Sequence, residues 1–306
     1  MINIKKIIEG LAKLKPIVFL DQLAYRVIED RVLATGAQIA YFLILSLFPF
    51  IIVLLNVLTY TPLARYDVLT GIIYYLPHAT QDLIIGFSTE IIETSSQGLL
   101  SVAAILGIWT ASSGISPVIK AINRAYGYEE KRSFIRLKLM SLLFTIALLI
   151  LITLVFLTLV FGEVLGNKLF SLLGMKDVFK SLWSYIRIII PLLYMILIFA
   201  LLYKFSPYTN NRYKINLSST LPGAVFATLG WMIISILFSY YVNNFGRFAI
   251  TYGSIVGVIF LLIWLYISGI IMVLGGEVNA TLKHLNHYGY RLHKNKSILA
   301  NIYEKF

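Results

Sequence analysis

Six long stretches of the chain contain no Asp, Glu, Lys or Arg: Val32–Ala64, Thr94–Ile119, Leu139–Gly162, Ile188–Tyr203, Ile215–Gly246 and Phe248–Gly276. A helix needs about 20 apolar residues to cross the hydrocarbon core of a bilayer, and all but the fourth stretch exceed that length. The fourth covers only about 24 Å at the helical rise, so it must run on past Arg187 or be met by a thinned bilayer. The composition agrees: 59% of residues are hydrophobic and 13% charged, where soluble domains average about 25% charged. A disordered chain, a coiled coil and a soluble nucleic-acid-binding domain are excluded together. The absence of cysteine excludes disulfides, thiolate metal sites, iron–sulfur clusters and a Cys nucleophile, and says nothing about redox compartment.

The expectation is an all-α integral membrane protein of six transmembrane helices. Their approximate ranges are 36–60, 97–121, 139–162, 184–205, 217–243 and 253–277, within a membrane domain over 32–280. Amphipathic interfacial helices are expected at the N-terminus, in a cytoplasmic segment 1–31, and in the first external loop, 61–96; residues 281–306 form a basic tail. In the N-terminal segment Ile4, Ile7, Ile8, Leu11 and Leu14 recur at helical spacing, and Lys13 and Lys15 interrupt any signal-peptide core. Pro16 is expected to end that helix, and a second stretch, Leu20, Leu23, Ala24, Val27 and Ile28, leads into the first span. In the external loop Thr80 is placed to cap a short helix with Leu83, Phe87 and Ile91 on one face.

Loop charges orient the spans. Of the 26 Lys and Arg residues, 20 fall on one side if the chain crosses six times. The positive-inside rule then puts both termini in the cytoplasm. The net charge of +12 becomes a topological label. It suits anionic lipid headgroups at the cytoplasmic face as partners, not nucleic acid.

The polar residues inside the spans gather into faces. In the second span Trp109, Ser112, Ser113, Ser116, Lys120, Asn123 and Arg124 fall within an arc of about 120°, and such groups seek a neighbouring helix or a wet cavity. In the first, Gln38 and Asn56 lie about five turns apart on one line near Tyr41. In the fifth, Thr228, Trp231, Ser235 and Ser239 form a third stripe. In the sixth, Tyr266, Gly269 and Glu277 share a face, and Gly253 with Gly257 makes a small-xxx-small pair read as packing. An ion pair of Glu277 with Lys120 or Arg124 is expected from their common depth. Breaks are expected at Pro49, Pro117, Pro191 and Pro222.

Several runs carry a family resemblance: Ala40-Tyr41-Phe42-Leu43-Ile44-Leu45-Ser46-Leu47-Phe48-Pro49-Phe50, Trp109-Thr110-Ala111-Ser112-Ser113-Gly114 with Ala121-Ile122-Asn123-Arg124-Ala125-Tyr126, and Leu221-Pro222-Gly223-Ala224. Tyr252-Gly253-Ser254 and Gly275-Gly276-Glu277-Val278-Asn279-Ala280 complete the set. In this order the chain resembles the YihY/BrkB membrane protein family. The resemblance implies a six-span inner-membrane protein of poorly defined function, historically also labelled ribonuclease BN, whose members have been suspected of moving amphiphiles or lipid-linked compounds.

The nuclease label fails on chemistry. Phosphodiester hydrolysis needs clustered carboxylates for metals or paired histidines, and the carboxylates on the cytoplasmic side are scattered. His284, His287 and His293 sit in a basic tail read as solvated. No enzyme activity, cofactor or metal is expected. The expected function is a transporter or flippase-like protein, with Gln38, Asn56, Trp109, Ser112, Ser113, Ser116, Lys120, Asn123, Arg124, Arg187, Ser235, Ser239 and Glu277 as candidate substrate-binding residues. A membrane scaffold or envelope-assembly factor is the alternative. A cavity among the spans separates the two, because a scaffold has no need of one.

Overall fold

A computed structural model describes residues 10–11, 13–60, 97–150, 154, 170, 176–208, 215–245, 254–290 and 297–305. The described residues are all-helical or irregular, with no strand. The helices are α1 (Lys15–Glu29), α2 (Val32–Tyr60), α3 (Gln97–Ala125), α4 (134–150), α5 (Lys176–Phe205), α6 (Leu217–Phe245), α7 (Ser254–Tyr288) and α8 (Ile298–Lys305). Four of them contain stretches long and apolar enough to cross a membrane: Ser101–Ala125, Tyr185–Phe205, Leu217–Val242 and Gly257–Tyr288. Lys15–Glu29 and Val32–Leu47, bent by 56° at their junction, make a fifth if counted as one broken span. The expected third span runs out of the described residues after 150, and the expected helices of 61–96 and Gly253 also lie outside them.

The prolines do not break the helices. Pro49, Pro117, Pro191 and Pro222 each lie inside a continuous helix of 29 or 30 residues. A proline removes one hydrogen bond, and neighbouring helices can satisfy what it frees. The real break is between α1 and α2, at Asp30 and Arg31. Arg31 has φ 52, in the left-handed region, which costs a non-glycine residue about 1 kcal/mol. Pro16 belongs to the first turn of α1, where its missing N–H would have no partner anyway. The amphipathic pattern of α1 is turned outward: Leu20 and Ile28 are exposed, while Val18, Asp21 and Gln22 are buried.

Helix α7 is the hub, packing on α1, α2, α3 and α6, while α5 packs on α6. The core at their meeting is built from Ile39, Ile119, Ile122, Tyr203, Ala227 and Val273. Close approach depends on glycines facing backbone. A Cβ on Gly269 would sit 3.2 Å from the Gly36 carbonyl oxygen of α2. One on Gly223 of α6 would fall on the Gly275 carbonyl and within 2.5 Å of the Asn279 amide nitrogen. Without a hydrophobic force between helices in lipid, such contact and interhelical hydrogen bonds hold the bundle. A Cβ on Gly257, by contrast, would meet nothing within 4 Å among the described residues, so the packing expected at that position is not found there.

The C-terminal tail is more than a solvated basic run. Ser297, fully buried, accepts a hydrogen bond from the Ala300 N–H at 2.9 Å and so caps α8. Asp21 of α1 accepts one from the Leu299 N–H at 2.9 Å. The Asp21 carboxylate thereby fixes α8 against α1.

Candidate functional site

Beside the 56° bend at Asp30 lies a half-open cavity of about 1060 Å³, at the end predicted to face the cytoplasm. Its walls are α1 (Tyr25, Arg26, Glu29), Asp30, the end of α3 and the turn after it (Arg124, Tyr126, Tyr128), the first turns of α6 (Ser218, Pro222) and the last turns of α7 (Asn279, Lys283, His287). That volume is at the upper end for small-molecule pockets.

Three cations face it, and each is held. Arg26 donates to the Ala125 carbonyl at 2.7 Å, tying α1 to the end of α3. Arg124 donates to the Asp30 carbonyl at 3.1 Å and to the Thr35 hydroxyl at 3.4 Å, bracing the bent joint from the other side. Lys283 donates to the Tyr128 hydroxyl at 3.4 Å and lies over the Tyr126 and Tyr128 rings, at 5.2 Å and 5.6 Å from their centroids. Those rings are parallel, at 6.5 Å, giving an aromatic wall that attracts cations by its faces. Burial pushes the Tyr126 hydroxyl upward, with Tyr128 and Glu277 adding to it, so the ring stays neutral. Burial also raises the Asp30 carboxyl, against the pull of Arg26 and Arg124.

Glu277 lies one layer behind this wall. It is fully buried, and neither carboxylate oxygen has a hydrogen-bond partner among the described residues. Its electrostatic neighbours are Asp30, Arg26 and Arg124. The expected ion pair with Lys120 or Arg124 is not formed: ion pairs among the described residues are Glu130–Arg132 and Glu129–Lys131. Arg124 is spent on backbone and hydroxyl oxygens, and Lys120 points outward, exposed.

Asn279, two residues on, clamps the start of α6. Its side-chain oxygen accepts from the Gly223 N–H at 2.7 Å and its amide donates to the Thr220 carbonyl at 3.0 Å. Only one orientation of the amide satisfies both groups. Below it, Arg132 grips Glu130 through two bonds of 2.6 and 2.7 Å and donates to the Ser206 carbonyl at 2.6 Å. Asn123 accepts from the Tyr208 N–H at 2.7 Å. The end of α5 is thereby fastened to the loop after α3.

The stripe of the second span divides. Arg124 reaches the cavity and Asn123 the adjoining network. Ser112 and Ser113 donate to the Trp109 carbonyl of their own helix, and Ser116 bonds Ser141 of α4 at 2.8 Å. Lys138, not singled out in the sequence, reaches into this seam, donating to the Trp109 carbonyl and the Ser113 hydroxyl at 2.9 Å each, with Trp109 as a 4.2 Å ring partner. Its position at the edge of an apolar run disguised it as a loop cation. Ser235 accepts from Trp264 at 3.4 Å within the α6–α7 seam. Gln38, Ser239 and Arg187 are exposed away from the cavity, and the Asn56 side chain lies outside the described residues. Among the described residues no three His, Asp or Glu side chains gather as a metal site.

The family model for virulence factor BrkB matches residues 23–297. A relative from Bacillus subtilis (strain 168), named as ribonuclease-like protein YfkH, is 41% identical over 264 residues, 86% of this chain and 94% of its own. A UPF0761 membrane protein of Alteromonas mediterranea is 26% identical over 268 residues, covering 83% of this chain and 84% of its own. One of Chlorobium limicola is 29% identical over 259 residues, 81% of this chain and 54% of its own. No solved structure matches.

Proposed function

The chain belongs to the virulence factor BrkB family of membrane proteins, and on that premise we propose that it is a transporter or flippase-like protein for an amphiphilic or lipid-linked substrate. The observation that carries this reading is the cavity. A bundle serving only as a scaffold gains nothing from a space of about 1060 Å³ walled by charged and aromatic side chains, because every polar group there must be kept satisfied at a cost in packing. Arg26, Arg124 and Lys283 suit an anionic headgroup, and the exposed apolar flank of α1, with Leu20 and Ile28, gives acyl or polyprenyl chains a surface to lie on. The substrate-binding role is therefore assigned to Arg124 and its neighbours at this end, and not to the stripe from Trp109 to Ser116, whose hydroxyls are satisfied within the bundle.

This reading includes no hydrolytic step. The test is reconstitution of the purified protein in liposomes, followed by movement of labelled phospholipid, lysolipid and polyprenyl-phosphate analogues between leaflets. Movement of at least one probe is expected, with a large loss in Arg124→Ala and none in Lys120→Ala. No movement across the panel by correctly folded protein overturns it.

A further inference from the structure

We propose that Glu277 and Asp30 form a proton-binding pair, and that loss of the proton draws Arg124 off the joint between α1 and α2. The pair adjoins the cavity, but the inference does not depend on what the cavity carries. Glu277 is fully buried with both carboxylate oxygens unpartnered, a state that an anion reaches only at a cost of several kcal/mol. The side chain opposite it is a second carboxyl, Asp30, which also lines the cavity and so is open to solvent protons. One proton between two facing carboxyls removes one of two like charges and gives Glu277 the hydrogen bond it lacks. A metal ion would need a larger set of oxygens, and no cluster of three acidic or histidine side chains exists among the described residues.

The surroundings name the response. Elements packed on α7 are α1, α2, α3 and α6. From α1 and its end come Arg26 and Asp30, from α3 Arg124, and from the turn after it Tyr126; α2 and α6 contain no Asp, Glu, Lys or Arg. Both guanidinium groups are committed to oxygens other than those of Glu277, at 2.7 Å for Arg26 and 3.1 Å for Arg124. With the proton bound, these ties hold the 56° bend. The proton's departure to solvent leaves an anion on Glu277, and the mobile partner is Arg124, whose bonds at 3.1 and 3.4 Å are the longer ones. Moving it frees the Asp30 carbonyl and the Thr35 hydroxyl, just where Arg31 already sits in an unfavourable backbone conformation. The wall formed by α1 can then swing.

The chain has no cysteine, so spin labels at Ala24→Cys and Lys120→Cys, both exposed and neither touching Glu277, report α1 against α3 without background. In liposomes of phosphatidylethanolamine and phosphatidylglycerol, the inter-label distance is expected to shift with pH. Glu277→Gln, which mimics the protonated acid, should hold the low-pH distance at every pH. Infrared difference spectra should show a protonated-carboxyl band that is absent in Glu277→Gln and is lost at lower pH in Asp30→Asn. No band assignable to Glu277 at any pH, a distance shift that survives Glu277→Gln, or a shift produced by sodium at fixed pH overturns the proposal. If Glu277→Gln does not fold, Asp30→Asn carries the test: an unmoved band in it refutes the pairing. None of these readouts measures transport, so they fail or succeed separately from the transporter reading.

Discussion

Replacing Asn279 by Ala tests whether α6 and α7 are held as the geometry states. The side chain is 1% exposed and its two bonds, 2.7 Å from the Gly223 N–H and 3.0 Å to the Thr220 carbonyl, both reach backbone of the other helix. In membrane bundles an interhelical hydrogen bond contributes on average about 0.6 and at most about 1.7 kcal/mol. The Gly223 N–H and the Thr220 carbonyl both lie inside α6 and can fall back on its own ladder. Loss of the two bonds gives a destabilisation of about 1–3 kcal/mol. Asn279→Asp should cost at least as much, because it keeps the acceptor but sets a second oxygen against the Thr220 carbonyl. The assay is reversible unfolding in mixed micelles with increasing SDS, followed by tryptophan fluorescence. Trp231 and Trp264 lie edge to face at 5.7 Å across this same seam and report its opening directly. Lys120→Ala, at an exposed position, should stay within about 0.5 kcal/mol of the parent. An Asn279→Ala protein that unfolds within that same margin refutes the clamp.

Gly275→Ala should prevent recovery of monodisperse protein by size-exclusion chromatography, since its Cβ would fall on the Tyr203 hydroxyl and 2.7 Å from the Gly223 carbonyl, whereas Gly257→Ala should behave as the parent. Arg132→Ala should destabilise by about 3–5 kcal/mol, the usual result of leaving one partner of a buried pair, because the Arg132 and Glu130 side chains are only 5% and 18% exposed; Arg132→Lys should recover less than half in a thermal-shift measurement. Ser297→Ala should cost about 1 kcal/mol of helix-cap stability and raise amide exchange in α8 while leaving α6 unchanged. Folding raises the Asp30 carboxyl above its unfolded value, so the folded state binds that proton more tightly and stability falls as pH rises from the ordinary Asp range through the folded value. Asp30→Asn should flatten that slope in the micelle unfolding assay.

Membrane character and helical class were legible because the bilayer imposes one rule, a long run without charge, that the residues state directly. Arg124, Asn123 and Glu277 were legible for a related reason: polar groups at span ends stand out against an apolar background. The stripe from Trp109 to Ser116 misled, since a hydroxyl on a helix finds an acceptor three or four residues back in its own backbone, as Ser112, Ser113 and Thr110 do. Periodicity therefore detects a polar face without detecting a cavity. Asp30 and Asn279 have no such signal, because their roles depend on which element lies opposite. Asp30 acts through a helix ending and Asn279 through a glycine on another helix, and neither relation has a spacing in the sequence.

The location of the cavity follows from what a bent helix does to its neighbours. Had α1 continued straight into α2, Asp30 would lie within a helix. The bend instead exposes the Asp30 carbonyl, which Arg124 must satisfy, and brings the Asp30 carboxyl opposite Glu277. The positive φ of Arg31 thus lies beside the cavity, the Arg124 tie and the two facing acids. On the other wall Asn279 of α7 reaches the backbone of α6 at Gly223 and Thr220. Both walls are held by side chains reaching backbone groups of a neighbouring element. Such ties are few and separable, whereas the Gly36–Gly269 and Gly223–Gly275 contacts deeper in the bundle can open only by parting whole helices. The proposed swing of α1 therefore has the glycine seams as the fixed frame against which it turns.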